Sequence, residues 1–196
     1  GAWRPALPPE VNPRQIGDEL WSSAFDKDQL DDRPLYWQRL ILSQYLRKLG
    51  AESSDLLEFE LASRGMLGNQ FSGGATYRVL VTGFDPFHLD DHIEQGNPSG
   101  VVALQHQRKE IMLGAGRAET LSMIFPVRYK DFDEFLVERV LETFTDKVDM
   151  VITVSMGRTG FDLERFPGRR RSVSILDNVR QAGGGSAEKP FVPPHL

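Results

Sequence analysis

From residue 78 onward the chain alternates short apolar runs with amphipathic stretches, and this order restricts the fold more than any other feature. Arg78-Val79-Leu80-Val81-Thr82-Gly83-Phe84 is rich in β-branched residues without polar alternation, the pattern of a strand buried on both faces. Asn97-Pro98-Ser99 opens a helical stretch from Gly100 to about Arg108. Thr120 to Val127 predicts a second strand and Asp149 to Ser155 a third. Between them, Asp131 to Phe144 predicts an amphipathic helix with Phe132, Phe135, Leu136 and Val140 on one side. Asp131 and Glu134 have the spacing of a capping box. Strand, helix, strand, helix, strand implies parallel pairing through right-handed crossovers. In such sheets ligand sites gather at the carboxyl ends of the strands. The loops after Phe84, Val127 and Val154 are therefore where chemistry is expected.

The first third has a different texture. Pro5, Pro8, Pro9 and Pro13 predict an extended arm over residues 1 to about 30, with Trp3, Trp21 and Phe25 available to pin it to a surface. Asp31-Asp32-Arg33-Pro34 then starts a helix. Trp37, Ile41, Tyr45 and Leu49 recur at helical spacing with Leu42 and Leu46 beside them, which predicts a core-facing stripe ended by Gly50. A second helix is predicted from about Ser54 to Ser63, and Met66 to Thr76 reads as a linker. The division is a proline-rich arm and helical extension over 1–76, followed by an α/β domain over 77–196.

Composition narrows the chemistry. A net charge of −5 gives no general attraction for nucleic acid or anionic lipid. No apolar run approaches the roughly 20 residues of a membrane span. The 196 residues contain no cysteine, which excludes disulfides, thiolate metal sites and a thiol nucleophile within them. The chain opens Gly1-Ala2-Trp3, consistent with a processed upstream segment or a cloning remnant, and a secreted or periplasmic location is favoured over the cytoplasm.

Three pieces then align, in order, with one family. They are Val79-Leu80-Val81-Thr82-Gly83-Phe84-Asp85-Pro86-Phe87 followed by Asn97-Pro98-Ser99, Phe125-Pro126-Val127, and Val151-Ile152-Thr153-Val154 leading to Glu164-Arg165 and Asp177-Asn178. Together they resemble pyroglutamyl peptidase I, a cysteine peptidase that removes N-terminal pyroglutamate. The resemblance covers about half of the chain and roughly the first half of the family's domain. It implies a three-layer α/β/α fold of the phosphorylase/hydrolase-like kind with a mostly parallel sheet, incomplete in this chain, plus the helical N-terminal extension. It implies that Phe84 and Phe87 sandwich a pyroglutamyl ring, that Asn97 caps a helix or meets a ligand amide, and that Met156 lines the same site. Glu164 falls where the family keeps the acid of its Cys-His-Glu triad, the group that orients the histidine. A glutamate beside Arg165 also suits a surface ion pair. No cofactor or metal is implied. The expected ligand is an N-terminally pyroglutamylated peptide. A missing C-terminal segment or a second copy is the expected protein partner, because half a parallel sheet leaves an apolar edge and face open.

The departures matter as much. Met156 stands where the family has a glutamine, and Ser174 where it has an arginine. A methionine cannot reproduce an amide's donor and acceptor. A catalytically inactive peptide- or lactam-binding protein of the same fold is the alternative expectation. His88-Leu89-Asp90-Asp91-His92 offers metal-ligating types but reads more readily as a polar surface loop. Arg169-Arg170-Arg171 reads as a solvated basic turn, and Gly183-Gly184-Gly185 as a flexible stretch.

Overall fold

The computed structural model describes residues 6–24, 30–157, 160–166 and 168–193. Three helices come first: α1 (Pro13–Ser23), α2 (Arg33–Lys48) and α3 (Ser53–Ala62). They are followed by β1 (Tyr77–Phe84), α4 (Pro98–His106), β2 (Lys109–Leu113), β3 (Gly116–Phe125), α5 (Tyr129–Asp133), α6 (Leu136–Glu142) and β4 (Met150–Thr153). The fold is mixed α/β around a four-stranded sheet ordered β2-β3-β1-β4. β1 pairs in parallel with both β3 and β4, in the register Leu80↔Leu121 and Leu80↔Val151.

Strand alternation divides the core in two. Leu80, Leu121, Met123 and Phe125 point to one face, where Leu136, Val140 and Phe144 of the α6 segment and Met66 cover them. Ile124 points the other way, into a second cluster with Ala103 and Leu104 of α4 and with Trp21, Leu35, Leu46 and Phe59 of α1 to α3. Helices thus lie on both faces, and the extension is fused to the sheet through a shared core. Gly83 permits the close approach of α4: a Cβ there would sit 2.2 Å from the Ser99 carbonyl oxygen. Gly83→Ala is expected to destabilise the fold by ~1–3 kcal/mol, the usual range for overpacking, measured as a lowered urea midpoint at unchanged slope.

Several expectations are corrected. The proline-rich opening is not wholly extended, because Pro13 occupies the first helical turn, where no amide donor is needed, and the Asn12 side chain accepts from the Gln15 N–H. Trp21 is buried in the core, whereas Trp3 and Phe25 lie outside the described residues. α2 buries Leu35, Arg39 and Leu46, while Trp37, Ile41 and Tyr45 face outward. The Leu42 and Leu46 side of the predicted stripe does pack in the core, but its Trp37, Ile41 and Tyr45 edge does not, since the buried face is centred on Arg39. The stretch from Met66 to Thr76 is tied to the sheet rather than a free linker: the Asn69 amide donates to the Ser122 carbonyl at 2.9 Å, and the Ser72 hydroxyl donates to Glu119 at 2.8 Å.

β2 was missed. It forms an antiparallel hairpin with β3, and its five residues are all exposed, so it carries no burial pattern to read. The single helix expected over 131–144 is two. Phe135 adopts a left-handed φ of 61° between α5 and α6, and Asp131 bonds the Arg128 side chain instead of closing a capping box. β4 is shorter than expected and is exposed along its length, as an edge strand.

Candidate functional site

β1 and β3 end side by side, with Phe84 opposite Phe125, and the chain leaves both at the same end of the sheet. Phe84 stacks on Phe132 of α5 with centroids 6.2 Å apart and an interplanar angle of 20°. These rings wall a cavity of about 470 Å³ that Phe87, Pro126, Val127, Arg128, Tyr129 and Leu176 also line. The volume suits a small ring with a short chain attached.

The segment after residue 168 closes the cavity from above. The Asn178 N–H donates to the Val127 carbonyl at 3.0 Å, and the Asn178 amide donates to the Pro86 carbonyl at 2.8 Å. One residue thereby ties the loops after β1 and β3 together. Asp177, buried beside it, accepts from the N–H groups of Tyr129, Val179 and Gln181 at 2.9, 3.0 and 2.9 Å. Arg171 forks onto Asp133 and lies over the Tyr129 and Phe191 rings, with centroid distances of 5.0 and 5.6 Å. It is a structural clamp rather than part of a solvated turn. Arg169 and Arg170 remain exposed at the rim. The triple glycine packs closely as well: a Cβ on Gly183 would sit 2.9 Å from the Tyr129 ring.

Behind the cavity lies a buried ionic chain that joins the extension to the loops of the site. Asp85, the acid of the TGFDPF stretch, accepts from Arg39 at 2.9 Å and from Arg64 at 2.7 Å. Arg39 also donates to the Ser63 hydroxyl and carbonyl. Arg64 continues to Glu60 at 3.0 Å, Glu60 to Arg128 at 2.6 Å, and Arg128 to Asp131 at 2.5 Å. Burial works to raise the Glu60 carboxyl, but the guanidiniums of Arg64 and Arg128 outweigh it and hold it down at about 2. For Arg39, burial together with neighbouring Arg64 lowers its value to about 10.

A second buried carboxylate forms no ion pair among the described residues. Both oxygens of Asp32, just before α2, accept from the Asn97 N–H at 3.0 and 3.2 Å. Burial pushes Asp32 up to about 7 despite that bond. Asn97 is itself the N-cap of α4: its side-chain Oδ1 accepts from the Ser99 N–H and hydroxyl, and its side-chain Nδ2 donates to the Asp85 carbonyl at 2.9 Å. Of the two roles open to Asn97, the structure places it as the cap, buried away from the cavity.

The predicted site residues therefore fall into two groups. Phe84 and Phe87 meet at the cavity, with Asn97 bracing the loop behind them. Glu164 and Met156 lie on the exposed segment after β4 and do not line it, nor does Ser174. Sequence reasoning missed Arg39, Arg64, Glu60 and Arg128. The available signal was Arg39, a charge inside an otherwise apolar helical face. In the loop from His88 to His92, Asp90 pairs with Arg180 at 2.9 Å, and no cluster of three or more metal-ligating side chains occurs among the described residues. No described helix is long and apolar enough to cross a membrane.

A family model described as PA0049, C-terminal domain matches residues 78–189. The protein called uncharacterized protein PA0049 in Pseudomonas aeruginosa is 32% identical over 217 residues, an alignment covering 91% of this chain and 39% of that protein. The chain thus spans about two fifths of the length of the curated relative it matches. No solved structure matches.

Proposed function

This chain belongs to the PA0049 C-terminal-domain family, and we propose that its cavity binds the ring of an N-terminally pyroglutamylated peptide. In this reading the fold is a phosphorylase/hydrolase-like α/β/α layer, and the chain is the ring-binding part of a pyroglutamyl-peptidase-like thiol hydrolase. The observation that carries it is the placement of Phe84 and Phe87 together on a cavity where the parallel strands end. A lactam has two apolar faces for aromatic walls and polar edges for donors. These 196 residues hold no cysteine, so a thiol nucleophile would have to come from polypeptide outside them or from a partner chain.

A second reading, binding without cleavage, is favoured by two placements. Glu164, the triad acid in the first reading, is exposed and does not line the cavity, and Met156 supplies no amide to it.

Calorimetric titration with pyroglutamyl-alanine tests the shared claim. Binding is expected, and Phe84→Ala should weaken it by about tenfold, as loss of an aromatic face worth ~1–1.5 kcal/mol implies. Heat of binding unaltered by that substitution would remove the cavity from consideration. Incubating the natural polypeptide that contains these residues with the same dipeptide then separates the two readings. Free pyroglutamate supports the hydrolase, and binding with no release supports the second.

A further inference from the structure

An apolar cavity needs few polar groups, but it needs them fixed, because they decide which ring it accepts. Apart from the exposed Glu138, Arg169 and Arg170, the polar groups on this wall are largely engaged. The Tyr129 hydroxyl donates to the Ile175 carbonyl at 3.0 Å, and Asp177 accepts from three backbone amides. Arg171 is held by Asp133. Arg128 differs. Its Nε and Nη2 donate to Asp131 and Glu60, while Nη1 makes no hydrogen bond among the described residues. Its plane is fixed from two sides and one arm of the guanidinium remains available.

The charge around it is balanced. Arg39, Arg64 and Arg128 alternate with Asp85, Glu60 and Asp131 in one continuous chain of contacts, three cations against three anions. This chain of contacts offers an oriented donor that is neutralised within itself, and the exposed cations Arg169 and Arg170 stand apart from it at the rim. The Arg128 arm therefore suits a neutral ring carbonyl, while a ligand's carboxylate would find its cation in Arg169 or Arg170 at the rim.

We infer that Arg128 is the specificity-determining donor of this cavity, presenting Nη1 to a neutral ring carbonyl of the lactam class, and that Glu60 is its positioning residue. The inference rests on the ring-binding reading above and adds the atom that recognises the ring. It also gives the extension a task. Glu60 belongs to α3, so the helices before the sheet orient a donor at the end of β3.

Two probes of equal ring size and equal charge separate this role from a merely structural one: pyroglutamyl-alanine, and cyclopentanecarbonyl-alanine, which lacks the ring carbonyl. The 196-residue chain is titrated with each. Arg128→Met is expected to weaken pyroglutamyl-alanine by about 10- to 100-fold, the range for a charge-assisted hydrogen bond, and to leave the carbocyclic probe within about twofold. Arg128→Lys keeps a cation beside Glu60 and so protects the fold, yet loses the planar fork, and should show the same selective loss. Glu60→Gln should weaken the lactam probe alone, and combining it with Arg128→Met should add nothing further. Equal losses for both probes, or unchanged lactam affinity in both Arg128 variants, overturn the assignment of Arg128. If the unmodified chain binds the two probes equally well, the ring pocket stands and the donor role falls. If it binds neither, both fall together.

Discussion

Asp85→Ala is expected to be the most damaging single substitution in this protein. It would leave Arg39 and Arg64, both almost fully buried, facing each other without the carboxylate that separates them. Breaking one partner of a buried ion pair costs ~3–5 kcal/mol, because the remaining charge stays dehydrated. At ~2–4 °C per kcal/mol for a chain of this size, the melting midpoint should fall by roughly 6–20 °C. Asp85→Asn should lie close to the alanine variant, since an amide keeps the shape but not the charge. A melting curve for Asp85→Asn that overlays the parent would show that the ionic contacts contribute little. The expectation links the extension to the sheet: the two guanidiniums come from α2 and the turn after α3, while the carboxylate follows β1.

The second large effect is a stability maximum at acidic pH with opposing limbs. Glu60 is held at about 2 in the folded state against an ordinary value of 4.5. Its contribution is therefore complete above pH 4.5 and is lost as pH falls through about 2. Asp32 has the opposite sign. Raised from 3.8 to about 7, it binds its proton more tightly when folded, so its contribution is complete below pH 3.8 and is lost as pH rises through about 7. At about 1.4 kcal/mol per pKa unit, the Asp32 limb spans on the order of 4 kcal/mol and the Glu60 limb on the order of 3. The two limbs place the maximum near pH 4. Asp32→Asn retains an oxygen to accept from the Asn97 N–H and should flatten the upper limb, leaving the variant more stable than the parent at pH 8. Urea titrations at half-unit steps from pH 3 to pH 8 measure this directly. An upper limb that persists in Asp32→Asn would assign the titration to another group.

Legibility in the sequence differs from element to element. β1 and the cap at Asn97 were readable because their signals are local: an unbroken apolar run, and a side chain that bonds an amide two residues on. The parallel pairing of β1 with β3 and β4 followed from the order of elements. β2 was not readable, since an edge hairpin exposed on both sides has no alternation to detect. The break at Phe135 was hidden by an amphipathic pattern that continues across it. α2 shows the limit most clearly. Its aromatic stripe is genuine, but which stripe is buried depends on what waits opposite, and Asp85 lies 46 residues away.

For the site, Phe84 and Phe87 were found because they flank one turn of a long motif, whereas Arg128 and Glu60 were not, being 68 residues apart and unremarkable singly. The order of elements and the composition were enough for the sheet's parallel direction and the absence of a thiol among these residues, because each depends on neighbours in the chain or on composition. That the extension shares the core, that Asn178 ties two loops together and that Glu164 does not line the cavity emerged from the packing alone. Those outcomes depend on long-range burial of charge and hydrogen bonding, where the partner of each group is set by the packing of distant segments and leaves no periodic mark in the chain.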